Sequence, residues 1–236
     1  MKLPTVVLVV AVLFFHVPIE RPRYTIMSDP LNDPAAEKAA LRKHAGKTRA
    51  ALAADDTDAA GRLAALAGIV AEVAMYLPDS TDNGGAAPVI AAYLPICSEL
   101  SPLPLIEALA ADGFATAMPV TQESGNPLLF RGWAPGAPLA DGPYNTKQPP
   151  SDAVEMIPSV ILAPMLAFDS SFWRLGYGGG FYDRTLSRLR AAGRHVVALG
   201  IAYDGQLVDK VPTGPYDMQL DGVLTPSGLR SAGRPL

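Results

Sequence analysis

Apolar residues recur at three- and four-residue steps from Leu63 through Leu66, Ile69 and Val70 to Val73, one stripe that predicts a helix over 57–76. Ahead of it, 34–54 is dominated by Ala, Lys, Arg and Leu, strong helix formers, and predicts a first helix that pairs with the second as an antiparallel hairpin. Pro78 and the polar stretch 79–85 end that pair. The pattern then changes to short apolar runs separated by helical ones. Strands are expected over 89–94, 114–118, 160–165, 195–202 and 222–224, with 128–133 as one arm of a hairpin. Ser101, Pro102 and Pro104 open a helix through Ala111 that Gly113 closes, and 184–192 is a further helix. The Pro-, Gly- and Asn-rich 134–150 reads as a loop. Strands alternating with helices argue a three-layer α/β/α fold: a mostly parallel, Rossmann-like sheet covered on both faces, with the helical hairpin alongside. No internal repeat is visible.

The front of the chain differs. Residues 6–15 are an unbroken apolar run behind Lys2, too short for a membrane span of about 20 residues. No small-residue cleavage site follows it, and a polar start begins at Met27, Ser28 and Asp29. Residues 1–26 are therefore expected to lie outside the fold, as an upstream extension or a signal-like segment, with a membrane anchor as the third reading. Residues 27–236 are expected to form a single domain.

Composition narrows the chemistry. Apolar residues make up 49% and charged residues 18% of 236, which excludes a disordered tail or a coiled-coil rod. The net charge of −4, with no basic block interleaved with aromatics, argues against a nucleic-acid partner. Cys97 is the one cysteine, so no intrachain disulfide or multi-cysteine zinc site can form, and a reducing, cytoplasmic setting is expected. Without a paired base, Cys97 reads as a small buried apolar residue. Three histidines, His16, His44 and His195, leave little room for histidine-rich metal sites or histidine-based triads.

The most informative stretch is 169–183, D-S-S-F-W-R-L-G-Y-G-G-G-F-Y-D, which follows the best strand and leads into a helix. Gly176, Gly178, Gly179 and Gly180 remove β-carbons, so backbone N–H groups can approach an anion at a helix N-terminus. In an open parallel sheet that strand end is where ligands bind. The spacing matches neither a Walker loop nor G-x-G-x-x-G, and a glycine cluster alone is a phosphate loop or a tight turn. Arg174 on one side could fork phosphate oxygens, and Asp183 on the other could offer a hard oxygen to Mg²⁺. Asp183 could equally be a first-turn acid favoured by the helix dipole. Lys38 and Arg42, four apart, share a helix face that could grip one anion or be solvated. Glu99 alone reads as a loop acid near a helix start, and Phe130 and Trp133 could stack on a ligand ring but read more plainly as core aromatics.

The run V-I-L-A-P-M-L-A-F-D followed by R-L-G-Y-G-G-G-F-Y-D resembles the signature of the 5-formyltetrahydrofolate cyclo-ligase family, the methenyltetrahydrofolate synthetases. Further family-like features recur in order: K-A-A-L-R at 38–42, Y-L-P-I-C-S-E-L at 93–100, M-P-V at 118–120 and Y-D-M-Q-L-D-G-V-L at 216–224. The resemblance implies that 5-formyltetrahydrofolate and Mg-ATP give 5,10-methenyltetrahydrofolate, ADP and phosphate. The formyl oxygen attacks the γ-phosphate, N10 closes on the activated carbon, and phosphate leaves. Such chemistry needs alignment and charge neutralisation more than acid–base histidines.

By the same resemblance, Lys38 and Arg42 bind ATP phosphates, and Arg174, Leu175, Gly176, Tyr177, Gly178, Gly179, Gly180, Phe181 and Tyr182 wrap the nucleotide. Tyr177 to Phe181 also line the folate side, where Glu99 meets the polar edge of the pterin and Leu94 packs against its ring. Asp183 and Asp217 hold Mg²⁺, and Arg174 and Asp183 carry the catalysis. The implied ligands are ATP, Mg²⁺ and a small folate, with no stable membrane partner and a monomer or weak dimer. Two positions depart from the family pattern: Tyr216 stands where many members carry His or Asn, and Gly179 where some carry Lys. A silent relative that binds nucleotide or folate as a sensor is the competing reading.

Overall fold

A computed structural model describes residues 34–77 and 88–231. The readings made for residues 1–26 and for the polar helix stop at 79–85 lie outside these. The first helix, α1, runs over Pro34–Asp55. The second is interrupted: α2 covers Ala59–Ala64 and α3 Ala67–Tyr76. Between them the chain tightens, Leu66 N–H bonding Leu63 O at 3.0 Å and Ile69 N–H bonding Leu66 O at 3.0 Å. No glycine or proline marks that break, so the apolar stripe reads straight through it. Helix α3 stops at Tyr76, and Leu77 is extended (φ −66°, ψ 134°), the conformation the residue before a proline prefers. The combined 59–76 stretch has the length and hydropathy of a membrane span. Its stripe of Ala59, Leu63, Ala67, Val70 and Ala74 is nevertheless buried in the protein core, as in an amphipathic core helix.

Strands β1 (Val89–Ala91), β2 (Ala115–Val120), β3 (Leu129–Gly132), β6 (Val160–Pro164), β9 (Val197–Ile201), β10 (Gly222–Thr225) and β11 (Gly228–Ser231) form one sheet in the order β11-β10-β9-β6-β1-β2-β3. The five central strands are parallel, and β3 and β11 close the edges antiparallel. The central strands are buried, which is why 160–164 reads as a continuous apolar run rather than an alternating one. Alternate residues supply two separate clusters. Ile90, Met118, Leu162 and Leu199 pack with α2, α3 and helix α4 (Leu103–Ala111), while Ala91, Ala117, Ile161 and Ala198 pack with Leu186 of helix α5 (Phe181–Ala191).

Four details depart from the sequence reading. The supposed loop 134–150 contains a short hairpin, β4 (Ala140–Asp141) with β5 (Lys147–Gln148), around a 3-10 turn at Pro143–Asn145. A second small hairpin, β7 (Ala167–Phe168) with β8 (Arg174–Leu175), carries the chain from β6 to the glycine cluster. Helix α5 begins three residues earlier than expected because Gly180, at φ +64°, caps it at once. Strand β11 follows β10 through a two-residue turn, so the expected last strand is not the last. Pairwise pairing of two-residue strands is set by tertiary contact and leaves no periodic trace in the sequence.

The β10–β11 pairing leaves no room beside Gly222. A Cβ there would stand 2.7 Å from the Arg230 carbonyl oxygen, and rigid backbone cannot yield as a side chain would. Gly222→Ala is expected to destabilise the protein by about 1–3 kcal/mol. Thermal unfolding should register that as a loss of about 2–4 °C per kcal/mol at this size.

Candidate active site

In sheet order the chain moves from β1 to β2 on one side and returns to β6 on the other, so the strand order reverses between β1 and β6. Ligands in open α/β sheets gather at such a reversal, outside the carboxyl ends of the strands. A cavity of about 640 Å³ opens there. Tyr93 and Leu94 line it after β1, Pro119 and Thr121 at the end of β2, and Pro164 at the end of β6. Every residue flagged from the sequence lies in its wall: Lys38, Arg42, Leu94, Glu99, Arg174 to Asp183, and Asp217.

Helix α1 presents a stripe at alternating steps of four and three: Lys38, Arg42, Ala45, Arg49 and Leu52, all buried or half-buried. Three of the five are cationic, so the basic face is turned inward rather than solvated. Close approach near its C-terminal end is enabled by Gly205, where a Cβ would meet Leu52 Cδ2 at 2.9 Å. Lys38 Nζ pairs with Asp217 Oδ2 at 2.5 Å, and Arg42 Nε donates to Gly176 O at 3.0 Å.

The glycine cluster turns sharply. Gly178 has φ +104° and Gly180 φ +64°, conformations that favour glycine. Arg184 fastens the turn from α5, Nη2 donating to Gly179 O at 2.6 Å and Nε to Asn126 O at 3.1 Å. The turn delivers the chain into α5, so Asp183 stands in the first turn of the helix.

Two carboxylates are held in place by cations and backbone. Arg174 Nη2 donates to Asp183 Oδ1 at 2.8 Å, Met218 N–H donates to the same oxygen at 3.0 Å, and Arg174 Nη1 donates to Met218 O at 2.8 Å. The Arg174 side chain is only 5% exposed, so it anchors Asp183 to the 217–218 segment rather than projecting as an open fork. Asp217 Oδ2 also accepts from Gly214 N–H at 2.6 Å. The recorded bonds thus fall on Oδ1 of Asp183 and Oδ2 of Asp217. Among the described residues no group of three or more His, Cys, Asp and Glu could hold a metal. Two carboxylates and a polyphosphate are, however, a donor set that suits Mg²⁺.

Glu99 lines the same cavity from the turn after β1. Its Oε2 accepts from Ile96 N–H at 2.9 Å, and desolvation pushes its pKa up to about 6 against the pull of that N–H and of Arg49. Burial also raises Tyr93 well above the usual phenol range, and Tyr182 likewise. Both therefore stay neutral hydroxyls at physiological pH.

Sequence reasoning missed several cavity residues. Tyr144 and Lys147 reach it from the β4–β5 hairpin, Tyr144 lying edge-on to Phe181 with ring centroids 6.5 Å apart. Arg49 does not line the cavity but bonds the hydroxyl of Tyr177, which does; it lies in a run of ordinary helix formers, three helical turns from Lys38, a spacing that places both on one face. Cys97, expected to be buried, is exposed at φ +52°, because the turn closed by Glu99 on Ile96 N–H pushes it to the apex. Phe130 is buried in one core cluster and Trp133 packs against the other, the core placement expected for aromatics in a strand. Tyr216 is 87% exposed.

The chain matches the profile of the 5-formyltetrahydrofolate cyclo-ligase family over residues 34–226. It is 37% identical over 147 residues to a 5-formyltetrahydrofolate cyclo-ligase of Escherichia coli K12, covering 60% of this chain and 79% of that one. A 5-formyltetrahydrofolate cyclo-ligase of Mycolicibacterium smegmatis is 34% identical over 145 residues, covering 58% and 73%. Among solved structures, a 5,10-methenyltetrahydrofolate synthetase from Aquifex aeolicus superposes with a TM-score of 0.60 at 24% identity, covering 84% of this chain and 95% of that one. One from Mycoplasma pneumoniae gives 0.57 at 22%, covering 80% and 99%.

Proposed function

The chain belongs to the 5-formyltetrahydrofolate cyclo-ligase family, and on that premise we propose how its cavity carries out the ATP-dependent closure of 5-formyltetrahydrofolate to 5,10-methenyltetrahydrofolate. One observation carries the assignment of residues. Side chains from α1, from the turn after β1, from the 174–183 stretch and from the 217 segment line a single cavity at the reversal of strand order.

The triphosphate of ATP lies along the glycine turn, where backbone N–H groups and the N-terminal end of α5 favour negative charge. Lys38 and Arg42 neutralise its outer oxygens from α1. Asp183 and Asp217 face it as hard-oxygen donors, Arg174 and Lys38 keeping each carboxylate in place. A Mg²⁺ bound there would neutralise the charge that builds up as the γ-phosphoryl group moves. Glu99 accepts from the polar edge of the pterin, and Leu94 packs on its ring, so the formyl oxygen is turned towards the γ-phosphate. Tyr177 to Phe181 lie between the two ligands and exclude water from the activated carbon before N10 closes on it. Alignment is the protein's main contribution.

The same reading covers the wider arrangement: a single domain over 27–236, three layers with the helical hairpin of the N-terminal half alongside, a cytoplasmic setting, and a monomer or weak dimer. The two core clusters on alternate strand residues support the three layers.

The test is direct. Purified protein given 5-formyltetrahydrofolate and Mg-ATP should develop the methenyl chromophore with one phosphate released per turnover. No change in absorbance at saturating Mg-ATP would sink the proposal, and ligand binding by calorimetry without phosphate release would point to a silent relative instead.

A further inference from the structure

Among the described residues, the largest fully buried side chain is a charged one, Arg49, at 2% exposure. A buried guanidinium is costly unless its N–H groups are all used and its charge is met. Here Nε donates to Ser98 Oγ at 3.1 Å, Nη1 donates to Met165 O at 3.1 Å, and Nη2 donates to the Tyr177 hydroxyl. Glu99 Oε1 lies 3.7 Å from Nη1, with both side chains almost wholly buried, and the guanidinium carbon sits 5.3 Å from the Tyr177 ring centre. The four partners come from the turn after β1, the end of β6 and the glycine turn. They are the elements that meet at the reversal of strand order. An apolar side chain of similar volume would fill this helix position without the desolvation cost, so stability alone does not call for a cation here.

We infer that Arg49 is a positioning residue of this site: one buried guanidinium ties the Glu99 carboxylate on the folate side to the Tyr177 hydroxyl of the glycine turn on the nucleotide side. The inference rests on the folate-side placement of Glu99. The groups facing Glu99 are Arg49 from α1, Tyr93 after β1, Tyr182 from α5 and the Ile96 N–H. Both phenols are neutral, so among these groups the cation that favours the ionised carboxylate is Arg49. Below pH 6 Glu99 is increasingly neutral and stops acting as an anionic acceptor. Folate recognition should therefore strengthen as pH rises through that value.

The test needs no turnover. In full-length protein carrying ¹³C-carboxyl glutamate, with the Glu99 signal identified by its loss in Glu99→Gln, wild type should titrate near pH 6. Arg49→Met should move that midpoint up by about one pH unit, because the opposite charge within 4 Å is gone. Arg49→Lys should move it by less than half as much. The pH profile of kcat/KM for 5-formyltetrahydrofolate should shift in parallel. Tyr177→Phe, which cuts the tie and leaves the ion pair, should raise the KM for ATP severalfold with the Glu99 midpoint in place. An unmoved midpoint in folded Arg49→Met, or unchanged KM values in Tyr177→Phe, would overturn the inference. If Arg49→Met does not fold, Arg49→Lys and Tyr177→Phe decide it. A midpoint that shifts as expected in a protein without turnover would leave the Arg49 link standing and remove the folate reading.

Discussion

Replacing Asp183 by Asn is expected to lower kcat by at least about a hundredfold while the protein stays folded, the scale on which a single electrostatic partner of the transition state acts. The substitution keeps size and shape. An amide oxygen turned towards Met218 N–H and Arg174 Nη2 can still accept both bonds that Asp183 Oδ1 accepts now. What it removes is the negative charge and the second oxygen, so Arg174, only 5% exposed, loses the carboxylate it bonds, and a Mg²⁺ held there would lose a ligand. The initial rate of methenyl formation, with circular dichroism to confirm the fold, measures the effect. Asp217→Asn provides the companion result. Lys38 Nζ, now 2.5 Å from Asp217 Oδ2, is freed, and the Mg²⁺ concentration for half-maximal rate should rise. An Asp183→Asn enzyme within threefold of wild type would remove this carboxylate from the chemistry.

Why the place of Asp183 at the cavity was legible in the sequence pattern, and the burial of Arg49 beside it was not, has a physical answer. Asp183 sits in a local motif: strand, glycine turn and first helical turn occupy consecutive residues, so the chain itself fixes the geometry. Lys38 and Arg42 are one helical turn apart, and their spacing alone left a solvated face as the plainer reading. The inward direction of that face depends on Leu52 meeting Gly205, a contact between residues about 150 positions apart that no local pattern encodes. Arg49 falls on the same stripe through that contact. The signal that could have revealed it was the four-three-four spacing of Lys38, Arg42, Ala45 and Arg49. The central strands were legible because burial on both faces demands an apolar run. The β4–β5 hairpin that brings Tyr144 to the cavity was not, since two-residue strands in a Pro- and Gly-rich stretch take their pairing from what lies beneath them.

Gly178→Ala should cut ATP affinity more than folate affinity, and by tenfold or more. At φ +104° this residue occupies a region that L-residues reach only at about 1–3 kcal/mol. The added methyl also has a specific neighbour: its carbon would stand 3.3 Å from Arg42 Cζ and 3.4 Å from Nη2. Arg42 is tethered through Nε to Gly176 O at 3.0 Å, so it cannot retreat without releasing the turn. Either the turn flattens or Arg42 swings away; on the proposed placement of ATP, each change would cost the phosphates a partner. Both outcomes act on the nucleotide. Gly176→Ala is the informative comparison, because nothing lies within 4 Å of the carbon it would add and its φ is not in the positive range. Its effect on the KM for ATP should be several times smaller. Thermal unfolding with and without Mg-ATP separates affinity from stability, since the rise in Tm that a ligand confers shrinks as its Kd grows. For Gly178→Ala that rise should collapse, while the rise given by 5-formyltetrahydrofolate should largely survive. If both ligands lost the same fraction of their stabilisation, the turn would be a scaffold common to the whole cavity. A separate nucleotide wall, on which the division of the site into two ends depends, would then have no support.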